Sequence, residues 1–169
     1  LSDVGTYATP GVQSLGGGKY TINAADASIW VERVADRAGV AKPCAARTGL
    51  EASASLAGLA AAITDVDACF NYAQGGSRVS DPVGPGNKAL LGFGDPSGAL
   101  GQLTNPVSDQ VQRHLTKAGG FGASNIVTVL AGANDIFMNL ATVQATIAGG
   151  GDANLAAGNA VTALAGAGT

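Results

Sequence analysis

The sequence predicts an α/β domain with a parallel sheet, and predicts it incompletely. Three observations carry that expectation. The apolar run Ile126-Val127-Thr128-Val129-Leu130-Ala131 reads as a buried strand that ends in Gly132-Ala133-Asn134-Asp135. A second short run, 69–73, ends in the same way at Gln74-Gly75-Gly76. Helical patterns alternate with these runs, and such alternation implies a parallel sheet. In open sheets of this kind, ligands bind at the carboxyl ends of the strands. The two junctions therefore outline a polar site built to hold an oxygen that becomes negative. Only two or three good strands are legible, fewer than a doubly wound sheet needs. Residues 1–169 read as part of one domain.

Bulk composition narrows the class. The chain has 169 residues, enough for one domain with a real core. It is 46% hydrophobic but only 5% aromatic, so that core must be aliphatic and rich in alanine. Charged residues make up 12%, against about 25% in an average domain. A net charge of −3, with scattered Lys and Arg, argues against a nucleic-acid surface, which needs a clustered basic face. No apolar run reaches the ~20 residues of a membrane-spanning helix. No basic stretch followed by an apolar one opens the chain, so a signal peptide is absent or already removed. Cys44 and Cys69 lack the paired spacing of a metal site, so no metal and no cofactor is expected. Two readings of the cysteines stay open: a disulfide closing a medium loop, or two inert buried thiols. The disulfide is favoured, because few lysines and many small residues fit a secreted protein.

The elements follow in order. Residues 1–18 read as a loop punctuated by Thr9-Pro10-Gly11 and Gly16-Gly17-Gly18, and Lys19-Tyr20-Thr21-Ile22 as a short extended piece. A helix is predicted over 25–38. Ala27, Trp30, Val31, Val34, Ala35 and Ala38 form its buried face, with Glu32, Arg33, Asp36 and Arg37 mostly opposite, and Gly39 ends it. Residues 42–55 look irregular, and 56–63 could be a short helix or a packed loop. A long loop covers 80–101, with Pro82, Pro85 and Pro96; loops of that length are often functional. A helix is predicted over 106–118, capped by Ser108 or Asn105, with Val107, Val111, Leu115 and Ala118 as its apolar stripe and Gly119-Gly120 as its stop. Another helix begins at Ile136, Gly149-Gly150-Gly151 breaks it, and a last one covers 153–165.

Three blocks then carry a resemblance. Leu1-Ser2-Asp3-Val4-Gly5-Thr6-Tyr7 is similar to the second half of the Gly-Asp-Ser-Leu-Ser-Asp-x-Gly opening of the GDSL, or SGNH, serine hydrolases. Asn71-Tyr72-Ala73-Gln74-Gly75-Gly76 resembles their second block, and Gly132-Ala133-Asn134-Asp135 their third. All three stand in the family's order and span nearly the whole chain. The wording of the blocks looks most like the secreted bacterial lipase and esterase branch, which includes passenger domains of autotransporter esterases. The resemblance implies a flavodoxin-like, three-layer α/β/α fold. It implies a carboxylic-ester hydrolase that works by a Ser-His-Asp triad and an oxyanion hole. On these positions the oxyanion hole is the backbone N–H of Gly76 and the side-chain amide of Asn134. A glycine lets an oxygen approach its N–H closely, and an Asn amide stays a neutral donor at every working pH. The implied partners are a small acyl-ester substrate and the remaining segments of a longer polypeptide, with an outer-membrane barrel possible after it. No nucleic acid is among them. The implied location is secreted or on the cell surface.

The departures are equally specific. The family's nucleophile would stand immediately before Leu1, and Ser2 is the second serine of the motif. The late Asp-x-x-His block is absent: the one histidine is His114, and Val111 stands three residues before it. The chain thus carries the oxyanion-hole pair and lacks the first strand and the triad. A noncatalytic surface or adhesin-like domain is the competing reading, and a carbohydrate O-deacetylase a third. Single residues also have plainer readings. Asn134 could cap a helix, and Gly75-Gly76 could be a turn. Asp135 is read as structural, Asp3 and Gly5 as shaping a turn, His114 as a partly exposed helix residue, and Trp30 as core. Leu90, Leu91 and Phe93 in the long loop are expected to wall an acyl pocket.

Overall fold

The computed structural model describes residues 2–19 and 28–167, and shows a mixed helical and sheet architecture with a small sheet. The elements are α1 (Pro10–Ser14), α2 (Trp30–Ala38), β1 (Arg47–Leu50), β2 (Ala61–Asp65), α3 (Val107–Ala118), α4 (Ala133–Ala148) and α5 (Ala153–Ala167). Short 3₁₀ turns fill Ala54–Leu59, Lys88–Phe93 and Pro96–Leu100.

Among the described residues the sheet has two strands, and they are antiparallel, with Arg47 opposite Asp65 and Leu50 opposite Ala61. This corrects the parallel sheet expected from the alternating pattern. Isolated parallel bridges join Ala45 with Asn71 and Asn87 with Gln102. Residues 69–73, expected as a buried strand, contribute only the first of these. The run 126–131 forms no strand, and Ile126, Val127, Val129 and Leu130 are each more than half exposed. The physical reason is common to both. A strand exists only by pairing, and these segments have no neighbour on one or both edges. Conversely, residues 42–55 hold β1, whose Gly49 has φ 140° and packs where a Cβ would meet Ile63 Cα at 2.8 Å.

The helices follow their local signals more closely. In α2, Gly39 adopts φ 66° and its N–H returns to the Asp36 carbonyl, as a left-handed C-terminal glycine does. The first residues expected in this helix lie outside the described ones. So does most of the extended piece expected at residues 19–22. Trp30 is not core, at 36% exposed; Val31 and Ala35 carry the buried face. Glu32, expected outside, is buried: its carboxylate takes the Ile29 N–H at 2.9 Å and the Lys19 ammonium at 2.8 Å. Ion pairing and a helix-start hydrogen bond thus override the polar-outside rule. Helix α3 starts after Pro106 with no side-chain cap, so neither Ser108 nor Asn105 fills that role, and Gly119 ends it at φ 75°. Its stripe is only half covered. The supposed opening loop contains α1, whose start is capped by the Thr9 hydroxyl.

Cys44 and Cys69 form a disulfide with Cα atoms 5.2 Å apart. It encloses the whole β1–β2 hairpin, and a loop of this length contributes about 3 to 4 kcal/mol in the chain-entropy picture. Lys117 of α3 fastens onto the same loop by donating to the Cys69 carbonyl at 2.8 Å and the Val66 carbonyl at 3.2 Å. Helices α4 and α5 pack on each other. No helix among the described residues is long and apolar enough to cross a membrane.

Candidate functional site

The three sequence blocks, distant along the chain, meet in one place. The first is a turn organised by Asp3. Its Oδ1 accepts the N–H groups of Gly5 at 2.9 Å and Thr6 at 2.7 Å, and Oδ2 reaches across to the Gly75 N–H at 3.0 Å. Asp3 is 2% exposed. Burial raises its carboxyl above the ordinary aspartate range, and the three backbone N–H bonds work against that rise. The turn is tied further to the second block by Thr6 Oγ1 donating to the Ala73 carbonyl, by Tyr7 Oη donating to the Gly75 carbonyl, and by Asn71 Nδ2 donating to the Ser2 carbonyl.

The second block ends in a tight crossing at Gly76, where φ is 84°. A Cβ there would lie 2.5 Å from the Pro85 carbonyl oxygen and 2.8 Å from Thr104 Cγ2. Glycine is therefore required at 76 by its backbone conformation and by close packing. Thr104 is fully buried and itself holds φ 49°. Its hydroxyl donates to the Pro82 carbonyl at 2.6 Å and accepts from Asn87 Nδ2 at 2.8 Å, bonds that hold the strained backbone in place. The N–H of Gly76 donates to no other described group.

The third block is the start of α4. Gly132 precedes the helix at φ 99°, so Asn134 and Asp135 stand in its first turn. Asn134 Nδ2 donates to the Ser77 carbonyl at 2.7 Å, which sets the side chain beside the residue that follows Gly76. One hydrogen of that amide is used in this bond and a second remains. Asp135, 2% exposed, accepts from the Val79 N–H at 3.0 Å and from Arg78 Nε at 3.2 Å. It has the structural role read from the sequence. Arg78 also grips Asp81 at 2.6 Å, so one guanidinium fastens the second block to α4.

Several contributors to this knot are invisible in the three blocks. Arg78, Thr104, the Gln74 side chain that accepts the Asn105 N–H at 2.8 Å, and Gln110, which donates to Ser77 Oγ at 3.1 Å, are ordinary polar residues in sequence. No periodicity marks them. Leu90 is buried, while Leu91 and Phe93 are 45% and 82% exposed. None of the three lines a cavity of about 630 Å³ that lies between residues 70–73, α3 and the run 126–130. His114 borders it, partly exposed, with its ring stacked on Phe121 at 4.3 Å and its Nε2 3.2 Å from the Gly120 carbonyl oxygen. Among the described residues no group of His, Cys, Asp and Glu is arranged to hold a metal ion.

No family model, curated protein or solved structure matches this chain.

Proposed function

We propose that this chain is part of a serine carboxylic-ester hydrolase of the GDSL type and supplies its oxyanion hole. The Gly76 N–H and the second hydrogen of the Asn134 amide would receive the carbonyl oxygen as it gains charge. The nucleophilic serine and the Asp-His pair would come from other segments of a longer polypeptide. On that reading the complete fold is a three-layer α/β/α domain, and the substrate a small acyl ester. A secreted or surface location accords with the Cys44–Cys69 disulfide.

The observation that carries the reading is the convergence of Gly76 and Asn134. They lie far apart in sequence, yet Asn134 is bonded to the residue next to Gly76, and the Gly76 N–H has no described acceptor. A helix start at Asn134 adds partial positive charge to the same spot. The test is a chain extended at both ends, challenged with a fluorophosphonate. A covalent serine adduct is expected, and Asn134→Ala should lower kcat/KM by about 10² to 10³ while costing about 1 kcal/mol of stability. A folded extended protein that forms no adduct ends the proposal.

A noncatalytic surface domain on the same fold is the second reading, motivated by the lack of an Asp-x-x-His block in residues 1–169. The same labelling experiment separates the two readings.

A further inference from the structure

The Gly76 N–H belongs to the same peptide unit as the Gly75 carbonyl. A peptide unit is planar, and none of the described peptide bonds is cis, so the N–H and the C=O of this unit point to opposite sides. Whatever fixes the direction of the Gly75 carbonyl therefore aims the Gly76 N–H. The two glycines have no side chains with which to hold themselves, and glycine backbone is the most permissive of any residue. The direction is imposed from outside the turn.

Two residues of the first block impose it. Tyr7 Oη donates to the Gly75 carbonyl at 2.8 Å, and Asp3 Oδ2 accepts the Gly75 N–H at 3.0 Å. The peptide units on both sides of Gly75 are thus held. Tyr7 is buried, and its hydroxyl oxygen also receives the Thr104 N–H at 3.4 Å. Thr104 is the one non-glycine with positive φ among the described residues, and backbone held in that region tends to serve a site. A phenol oxygen that accepts on one side keeps its proton for an acceptor on the other. The bonds therefore run in one direction. They pass from the Thr104 N–H to Tyr7 Oη, from the Tyr7 O–H to the Gly75 carbonyl, and across the peptide unit to the Gly76 N–H. A carbonyl that accepts a hydrogen bond draws electron density from its amide nitrogen, so the N–H becomes a stronger donor. Asn134 has a separate support, since its amide is set by the Ser77 carbonyl.

We infer that Tyr7 is a positioning residue, whose hydroxyl aims the Gly76 N–H at the substrate oxygen and strengthens it as a donor. This rests on the ester-hydrolase reading and adds to it a residue that touches no substrate. The advantage grows with the charge on the oxygen, because a hydrogen bond to a charged acceptor is the stronger kind. It is largest when the carbonyl has become an oxyanion and smallest for the bound ester. Loss of the hydroxyl should accordingly lower kcat and leave KM nearly unchanged. Tyr7→Phe removes only that oxygen, keeps the ring, and frees the Gly75 carbonyl to turn.

The test uses the extended chain of the fluorophosphonate experiment and a p-nitrophenyl ester, with kcat counted per serine titrated by the label. Tyr7→Phe should lower kcat per titrated site by about three- to tenfold and change KM by less than about twofold. A purely structural tyrosine would instead lower the titrated fraction and leave turnover per site alone. Tyr7→4-aminophenylalanine keeps the ring and returns a weaker donor, so it should recover part of the loss. It also carries the comparison if Tyr7→Phe does not fold, with kcat per site still below that of the unchanged protein. A second readout is free of catalysis. The Gly76 amide nitrogen resonance should move upfield in Tyr7→Phe and part of the way back in the amino variant. Unchanged kcat per site, or a Gly76 resonance that does not move, overturns the inference while labelling leaves the hydrolase reading standing. A folded, unchanged protein that takes no label ends that reading and this inference with it.

Discussion

Two regions of this molecule are held by different physics. From Ser2 to Pro106 the chain is knitted by polar side chains bonded to distant backbone. Asp3 spans to Gly75, Tyr7 to the Gly75 carbonyl, Asn105 to Gln74 and Thr104 to Pro82, and a disulfide closes the hairpin. From Val107 onward regular helices dominate, yet α3 buries no residue fully, and α4 and α5 leave Phe137, Leu155 and Val161 more than half exposed. The first region is irregular and densely cross-bonded, although Ser2 Oγ, Asn71 Oδ1 and Tyr72 Oη are buried there without a described partner. The second is regular and uncovered. Secondary structure and burial are therefore separate achievements here: local helix signals suffice for the one, and the other needs partners across the molecule.

The largest effect should come from cutting the knit. Asp3→Ala leaves three buried N–H groups without an acceptor. It should cost about 4 kcal/mol, read as a lower urea midpoint with a nearly unchanged slope. A loss under about 1 kcal/mol would mean that water replaces the carboxylate and that the first region is less tightly satisfied than its geometry implies.

A smaller effect sharpens the comparison through pH. Burial pushes the Glu32 carboxyl up, but the bonds from Lys19 and from the Ile29 N–H outweigh it and hold the group below its ordinary value. A lowered folded pKa stabilises above the ordinary glutamate value, about 4.3, and that contribution fades as pH falls through the folded value. Asp3 works in the opposite sense: with its folded pKa raised, its ionised form weighs against folding once the pH rises past the ordinary aspartate range. Urea midpoints of Glu32→Gln should accordingly fall less than those of the unchanged chain between about pH 5 and pH 3. An identical acid profile would show that the Lys19 pair is not maintained in solution.

The smallest effect belongs to the uncovered region. Leu155→Ser, at a position 65% exposed, should change stability by no more than about 0.5 kcal/mol. A loss beyond about 2 kcal/mol, or one that depends on protein concentration, would show that α5 is covered in solution by something the single chain does not provide.

The same division decides what the sequence made legible. Helices α3, α4 and α5 were readable because their periodicity and their glycine stops are local, as Gly119 at φ 75° illustrates. That Asn134 lies beside the turn at Gly76, bonded to the Ser77 carbonyl, could be anticipated only from three blocks taken jointly, since each residue alone is an ordinary turn residue. The run 126–131 misled for a physical reason. Its composition states a preference for a strand, and a preference becomes a strand only beside a partner. The β1–β2 hairpin escaped notice because Gly49 and the alanines of β2 carry no alternating pattern. Glu32, Arg78 and Thr104 escaped because a polar residue's partner in space leaves no trace in its neighbours along the chain.

The ring closed by Cys44 and Cys69 has a topological consequence. Every residue of both strands lies between the two sulfurs, and most of β2 is exposed on the surface. A protease that cleaves the peptide backbone anywhere within that ring opens a loop without dividing the molecule. The pieces carrying Asp3 and Asn134 stay tethered through sulfur until a reductant arrives, so a nicked molecule travels as one band on a gel run without reductant and as two with it.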